Sequence, residues 1–411
     1  MIARPRCDER NNPARWLFLA GYIAACVLFW WLPGILMRTV LHTEGDISGW
    51  SFWVSVSALA CFVLGYVTRP PHRPRSPGGQ ALLPVCREFS YKAMLWIAPV
   101  AFLLAGRFAL YRSTVAYGEG HGISLAYQAV LYVELFFGFM FFGSVADWRT
   151  DRRRLILTAV VLVLPRVMVS LHWGRYFLAQ GVVPLLLIAL ARGWFRISST
   201  RIVQLFVLVF LIVMVPAITR GDRVFSGGLN EDATIVHFFE QGSTLRFFDQ
   251  YYEASFKGRC PLLWMSLTDK VIPYRWLNIC TVQVGDRKGL PATLDNVLTR
   301  QTSNDLLRGS GSNYVLELYL TGGLGAVLIG SVLFGFTCRC FIEWIGYASI
   351  YSGIWAECAM RAFMAPRGAL GYTYERIPSL LFATAVTSLI CWMGLVLRRP
   401  ESTNSSQAPV A

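Results

Sequence analysis

The feature that most constrains this chain is the recurrence of long apolar runs. They cover residues 16–36, 50–67, 93–111, 123–145, 155–171, 177–191, 202–218, 314–338, 341–364 and 377–397. A helix needs roughly 20 residues to cross a bilayer, and most of these runs are close to that length. Inside lipid the backbone must satisfy its own hydrogen bonds, so runs of this kind are read as helices. Composition agrees. Only 15% of the residues are charged, against about 25% in an ordinary soluble protein. The expected fold is therefore an all-α polytopic membrane protein with about ten transmembrane helices. The first run lacks a small-residue cleavage site and reads as an uncleaved first helix. No internal repeat is present.

The formal net charge is +14, which in a soluble protein would point to nucleic acid. Here the basic residues fall in alternate connections. Arg4, Arg6, Arg10 and Arg15 precede the first run, and Arg69, Arg73, Arg75, Arg87 and Lys92 follow the second. The stretch Asp147 to Arg154, the stretch Ala191 to Arg201, and Arg398 with Arg399 continue the series. A weak connection is expected at Arg339 and Glu343. This is the positive-inside pattern, and it places both termini in the cytoplasm. Topology accounts for the charge, and no nucleic-acid partner is implied.

The same map divides the chain into residues 1–218 with helices 1–7, a large outer loop at 219–309, residues 310–397 with helices 8–10, and a cytoplasmic tail at 398–411. About ninety residues without a spanning run are too many for a mere connector. Residues 233–256 read as an aromatic, amphipathic helix suited to a membrane surface, to glycan stacking or to packing on its own small domain. Of ten cysteines, Cys260 and Cys280 lie in this loop and would be free to pair in an oxidising compartment. The Cys and His spacings give no metal site.

Ionisable residues in or near spans are expensive and mark functional sites. They are Arg107, Glu134, Arg166, Glu317, Glu357 and Arg361. The map also gathers seven arginines on the outer face: Arg175, Arg220, Arg223, Arg300, Arg308, Arg367 and Arg376. Arginine stays charged and grips phosphate oxygens through paired hydrogen bonds, so this cluster suits a lipid-linked diphosphate. The Gly309 to Ser312 turn would add backbone donors at a helix start, with Ser312 as cap and Gly311 in the turn. Glu317 then either pairs with Arg308 or Arg300, or orients a catalytic arginine or a sugar hydroxyl. Asp222, between Arg220 and Arg223, is a candidate general base, as are Glu253, Glu317 and His237.

The stretch "GSGSNYVLELYLTGGLGAVLIG" resembles the segment that follows the large periplasmic loop in O-antigen polymerases of the Wzy type. The Arg300 to Gly311 spacing, "GR" at Gly174 and Arg175, and "PRG" from Pro366 to Gly368 are similar to shorter signatures of that family. The resemblance implies a metal-independent glycosyltransferase of GT-C-like architecture in the bacterial inner membrane, without a cofactor. It implies transfer of the growing glycan from one undecaprenyl diphosphate to a repeat unit on another. Catalytic roles would fall to Arg220, Asp222, Arg223 and Glu317, and substrate binding to Arg175, Arg300, Arg308, Gly311 and Arg367. A chain-length regulator and a flippase would be its partners. The competing readings are an O-antigen ligase, a lipid-linked oligosaccharide transporter and a non-catalytic scaffold.

Overall fold

The structure is a computed structural model that describes residues 13–32, 49–68, 82–114, 124–170, 175–194, 282–284, 287–290, 313–363, 365–367, 370–374 and 376–397. Outside these residues fall the run 202–218, Ser312, the Gly309 to Gly311 turn, the Cys260–Cys280 pairing and the tail, along with most of the large loop.

The helices are α1 (Pro13–Cys26), which continues into a π turn at Val27–Trp31, α2 (Gly49–Thr68), α3 (Leu83–Thr114) and α4 (Ser124–Ser144). Next come α5 (Arg152–Ser170), α6 (Arg175–Ala191), α7 (Tyr314–Ile345) and α8 (Ser352–Ala362). A 3-10 turn at Ala365–Arg367 and a single turn, α9 (Gly371–Tyr374), lead into α10 (Ile377–Leu397). Among the described residues the departure from helix is a hairpin in the large loop, where β1 (Val282–Val284) pairs antiparallel with β2 (Arg287–Leu290). Five helices are long and apolar enough to cross a membrane: Pro13–Trp31, Gly49–Thr68, Leu83–Arg107, Tyr314–Ile345 and Ile377–Leu397. Ala129–Ser144 and Leu178–Ala191 are shorter apolar helices. The chain is an α-helical membrane protein.

Polar contacts gather alternate helix ends at one end of the bundle. Arg154 binds Glu88 at 2.8 Å and Arg87 binds Asp151 at 3.1 Å, joining the starts of α3 and α5. The Tyr66 hydroxyl at the end of α2 donates to the Arg15 carbonyl in α1 at 2.9 Å. Arg192, just past α6, donates to the carbonyls of Phe142, Gly143, Val145 and Tyr347, tying α6 to the end of α4 and to the α7–α8 turn. Burial pushes the Arg192 pKa down to about 9, which leaves it charged at neutral pH. These ends belong to the connections that carry the basic residues.

Two expectations about helix limits are corrected. Arg339 and Glu343 lie inside α7, one helical turn apart and paired at 2.8 Å, so the expected connection there is helix. Opposite charges at this spacing support a helix rather than end it. The expected span at 341–364 does not form either, because α8 has only 11 residues. At 1.5 Å per residue that is roughly half of the hydrocarbon thickness.

Candidate membrane-embedded site

The site is built by two helices that stop inside the bundle. The first is the start of α7. Asn313 accepts a hydrogen bond from the Val315 amide at 2.8 Å and caps the helix; the expected cap, Ser312, lies outside the described residues. Thr321 Oγ1 donates back to the Glu317 carbonyl at 2.7 Å. The helix then breaks at Gly322 and at Gly323, whose φ of 64° and ψ of −157° no side-chain-bearing residue holds easily. After the break the chain reverses. The rings of Tyr314 and Phe334 are 5.4 Å apart, whereas a straight helix would separate these positions by about 30 Å. Leu318 lies against Gly330 in the same way. Residues 314–321 are thus a half-helix folded back on a long arm, 324–345, and the expected single span at 314–338 is a helical hairpin.

Glu317 sits at the middle of the half-helix and is fully buried. Its Oε2 accepts from the Leu370 amide at 2.7 Å. Nearby the Trp30 indole donates to the Pro366 carbonyl at 2.8 Å, and its ring lies 5.9 Å from that of Tyr314. The 3-10 turn at Ala365–Arg367 is thus held to the end of α1, and Leu370 to the half-helix. Non-helical backbone is tolerated at such depth because protein groups satisfy it.

The second interrupted helix is α8. Its Glu357 is 2% exposed and takes donors from three elements at one oxygen. Gln180 Nε2 of α6 donates to Oε1 at 3.2 Å, Arg361 Nε of α8 at 3.2 Å, and Arg376, just before α10, lies at 3.8 Å. The Arg376 guanidinium also stacks on Tyr132 of α4, 3.1 Å from the ring centre. Two residues on in α4, Glu134 binds Arg166 of α5 at 2.9 Å, and both side chains are fully buried. Arg166 donates further to the carbonyls of Leu131 and Leu162. Glu357, Arg361, Arg376 and Gln180 thus form one cluster across α6, α8 and the start of α10, and Glu134 with Arg166 forms a separate buried pair between α4 and α5. Arginine keeps its charge when buried, so Arg361 and Arg376 hold the Glu357 carboxylate in an ion cluster.

No family model, curated protein or solved structure matches this chain.

Of the expected site residues, Glu317 is placed with its side chain. Arg175 opens α6 and Arg367 closes the 3-10 turn, one residue past the carbonyl that Trp30 binds. Arg220, Asp222, Arg223, Arg300, Arg308 and Gly311 lie outside the described residues, as do Glu253 and His237. Of the in-span charges, Arg107 is exposed on α3, while Glu134 pairs with Arg166 and Glu357 with Arg361. Gln180, Tyr132 and Asn313 were not anticipated. Gln180 and Tyr132 are polar groups within apolar runs, which is a signal. Asn313 directly precedes an apolar run, which is the usual mark of a cap.

Proposed function

We propose that this chain is a membrane-embedded glycosyltransferase that joins oligosaccharide repeat units carried on undecaprenyl diphosphate, an O-antigen-type polymerase of the bacterial inner membrane. The observation that carries the reading is the buried carboxylate of Glu317 in a half-helix directly after the long loop. A plain membrane anchor has no use for a fully desolvated acid, and its burial is costly unless it is hydrogen-bonded. A buried acid in the stretch that resembles the polymerase motif supports this reading. In this reading the arginines Arg175, Arg220, Arg223, Arg300, Arg308 and Arg367 neutralise the departing diphosphate, and no metal is required. Asp222 or Glu317 serves the acceptor hydroxyl. A flippase supplies the units and a chain-length regulator sets the product.

The deciding experiment is the lipopolysaccharide banding pattern of a strain lacking the gene. A core bearing a single repeat unit is the expected result. Bare core with long polymer left on the carrier would make the chain a ligase instead.

One observation favours a second reading. Two helices that end inside the bundle beside ionised groups are also how transporters build substrate sites. Bare core with only unflipped single units in the deletion strain would replace the polymerase reading with that one.

A further inference from the structure

We infer that Trp30 is a positioning residue for the site around Glu317: its indole N–H holds the turn from which Arg367 and the Leu370 amide are presented. The inference rests on the glycosyltransferase reading for what the site does. Where Trp30 places these groups does not depend on it.

The contacts close into a ring. Trp30 Nε1 donates to the Pro366 carbonyl at 2.8 Å. That carbonyl and the Arg367 amide belong to one rigid peptide plane, so the indole orients the backbone that enters Arg367. Proline has a fixed φ of its own, which removes one more freedom from this point of the chain. Four positions on, the Leu370 amide donates to Glu317 Oε2 at 2.7 Å. Four residues reach at most about 14 Å, so a shift at one anchor is felt at the other. Tyr314, about one turn before Glu317 in the half-helix, completes the circuit with its ring 5.9 Å from that of Trp30. Trp30 is the member that touches both the turn and the half-helix.

Two observations set this apart from ordinary packing. Trp30 is fully buried, and an indole N–H at such a place is costly unless a partner meets it. A phenylalanine would fill apolar space without that demand, so the bond to Pro366 is what tryptophan adds. Trp30 also stands in the π turn Val27–Trp31 that ends α1. Turns of this kind are rare within helices and are frequent at functional sites. The next residue, Trp31, donates to Ser55 Oγ of α2 at 3.0 Å, so the segment that carries Trp30 is itself anchored. A fixed support of this sort suits a group that must aim another.

The test uses the full-length protein in nanodiscs and two changes at this position. Trp30→Phe keeps an aromatic ring and loses the donor. Trp30→benzothienylalanine keeps the tryptophan shape with sulfur in place of the N–H, and it decides the matter if the Phe variant does not fold. Hydrogen exchange of the peptide spanning 365–374, which holds the Leu370 amide, is expected to quicken by about tenfold. Polymer formation is followed on undecaprenyl-diphosphate-linked repeat units extracted from the deletion strain. The kcat per folded protein is expected to fall by about tenfold with KM little changed, since Arg367 and Glu317 act on charge that develops in the transition state. Unchanged exchange with the isostere overturns the proposal, because the N–H then holds nothing. Faster exchange with unchanged kcat overturns it as well, and leaves Trp30 a clasp of the fold alone. The banding pattern of the deletion strain needs no Trp30 variant, and exchange needs no substrate, so the glycosyltransferase reading and this placement fail separately.

Discussion

Glu134 and Arg166 show what a membrane interior asks of a charge. Both are fully buried and meet at 2.9 Å. Breaking such a pair by removing one partner strands the other, at a cost of about 3–5 kcal/mol, while replacing both with apolar groups is often neutral. We expect Arg166→Met and Glu134→Leu each to lower stability by about that much, and the double variant to recover most of the loss. Unfolding by dodecyl sulfate in mixed micelles measures the cycle, and equal loss in the double variant would show that the pair is not what matters. Glu317 poses a milder case. Its Oε2 satisfies the Leu370 amide, so Glu317→Ala leaves a buried donor unmet and is expected to cost about 1–3 kcal/mol. Glu317→Gln keeps an acceptor and should retain most of the stability. If the carboxylate also acts in transfer, only the Gln variant separates the two roles: stable protein with no long polymer.

At the level of elements, the hairpin of α7 depends on one residue's backbone. Gly323 has φ 64°, and a side chain there is strained by about 1–3 kcal/mol. Gly323→Val is expected to destabilise the protein by that amount and to loosen the half-helix first. Hydrogen exchange of the Val315 to Leu318 amides reads this directly, and unchanged protection would count against the hairpin. The break was legible in part: Thr-Gly-Gly in an apolar run is a recognised interruption. Hydropathy could not show the reversal, because an apolar segment scores alike whether it crosses or folds back. The same blindness joined α8 to the end of α7. There the charges Arg339 and Glu343 suggested a turn, yet their spacing of four makes them a helical pair. The sites that sequence located best were the charged residues within apolar runs. Which of them would meet was hidden, since Arg166 and Glu134 sit on different helices and Gln180 reaches Glu357 from 177 residues away in the chain. The tight seam between α2 and α7 was equally hidden. A Cβ at Gly65 would overlap the Val332 carbonyl, and one at Gly335 the Phe62 carbonyl. Nothing in the spacing of these glycines says which helix they touch.

For the whole molecule, the basic connections and the packing agree on which ends lie together. Thr150 and Tyr351 sit at the end held by Arg192 and the Arg87 and Arg154 bridges, and Trp50 begins α2 at the other end. In a background stripped of native cysteines, Cys at positions 150 and 351 is expected to react with an impermeant maleimide only from the cytoplasmic side. Cys at position 50 should react only from the opposite side. Labelling of positions 50 and 150 from one side would overturn the topology.

The thin attachment of α10 has a consequence for where this protein can work. Only Thr384, Thr387 and Cys391 of α10 are buried, so the depth of Arg376, the residue before this helix, follows how α10 rides in the bilayer. A thicker or thinner membrane tilts such a helix at a cost of only fractions of a kcal/mol per Å. The spacing between Arg376 and Glu357 is therefore tied to the membrane that surrounds it, and the surrounding lipid becomes a part of the site.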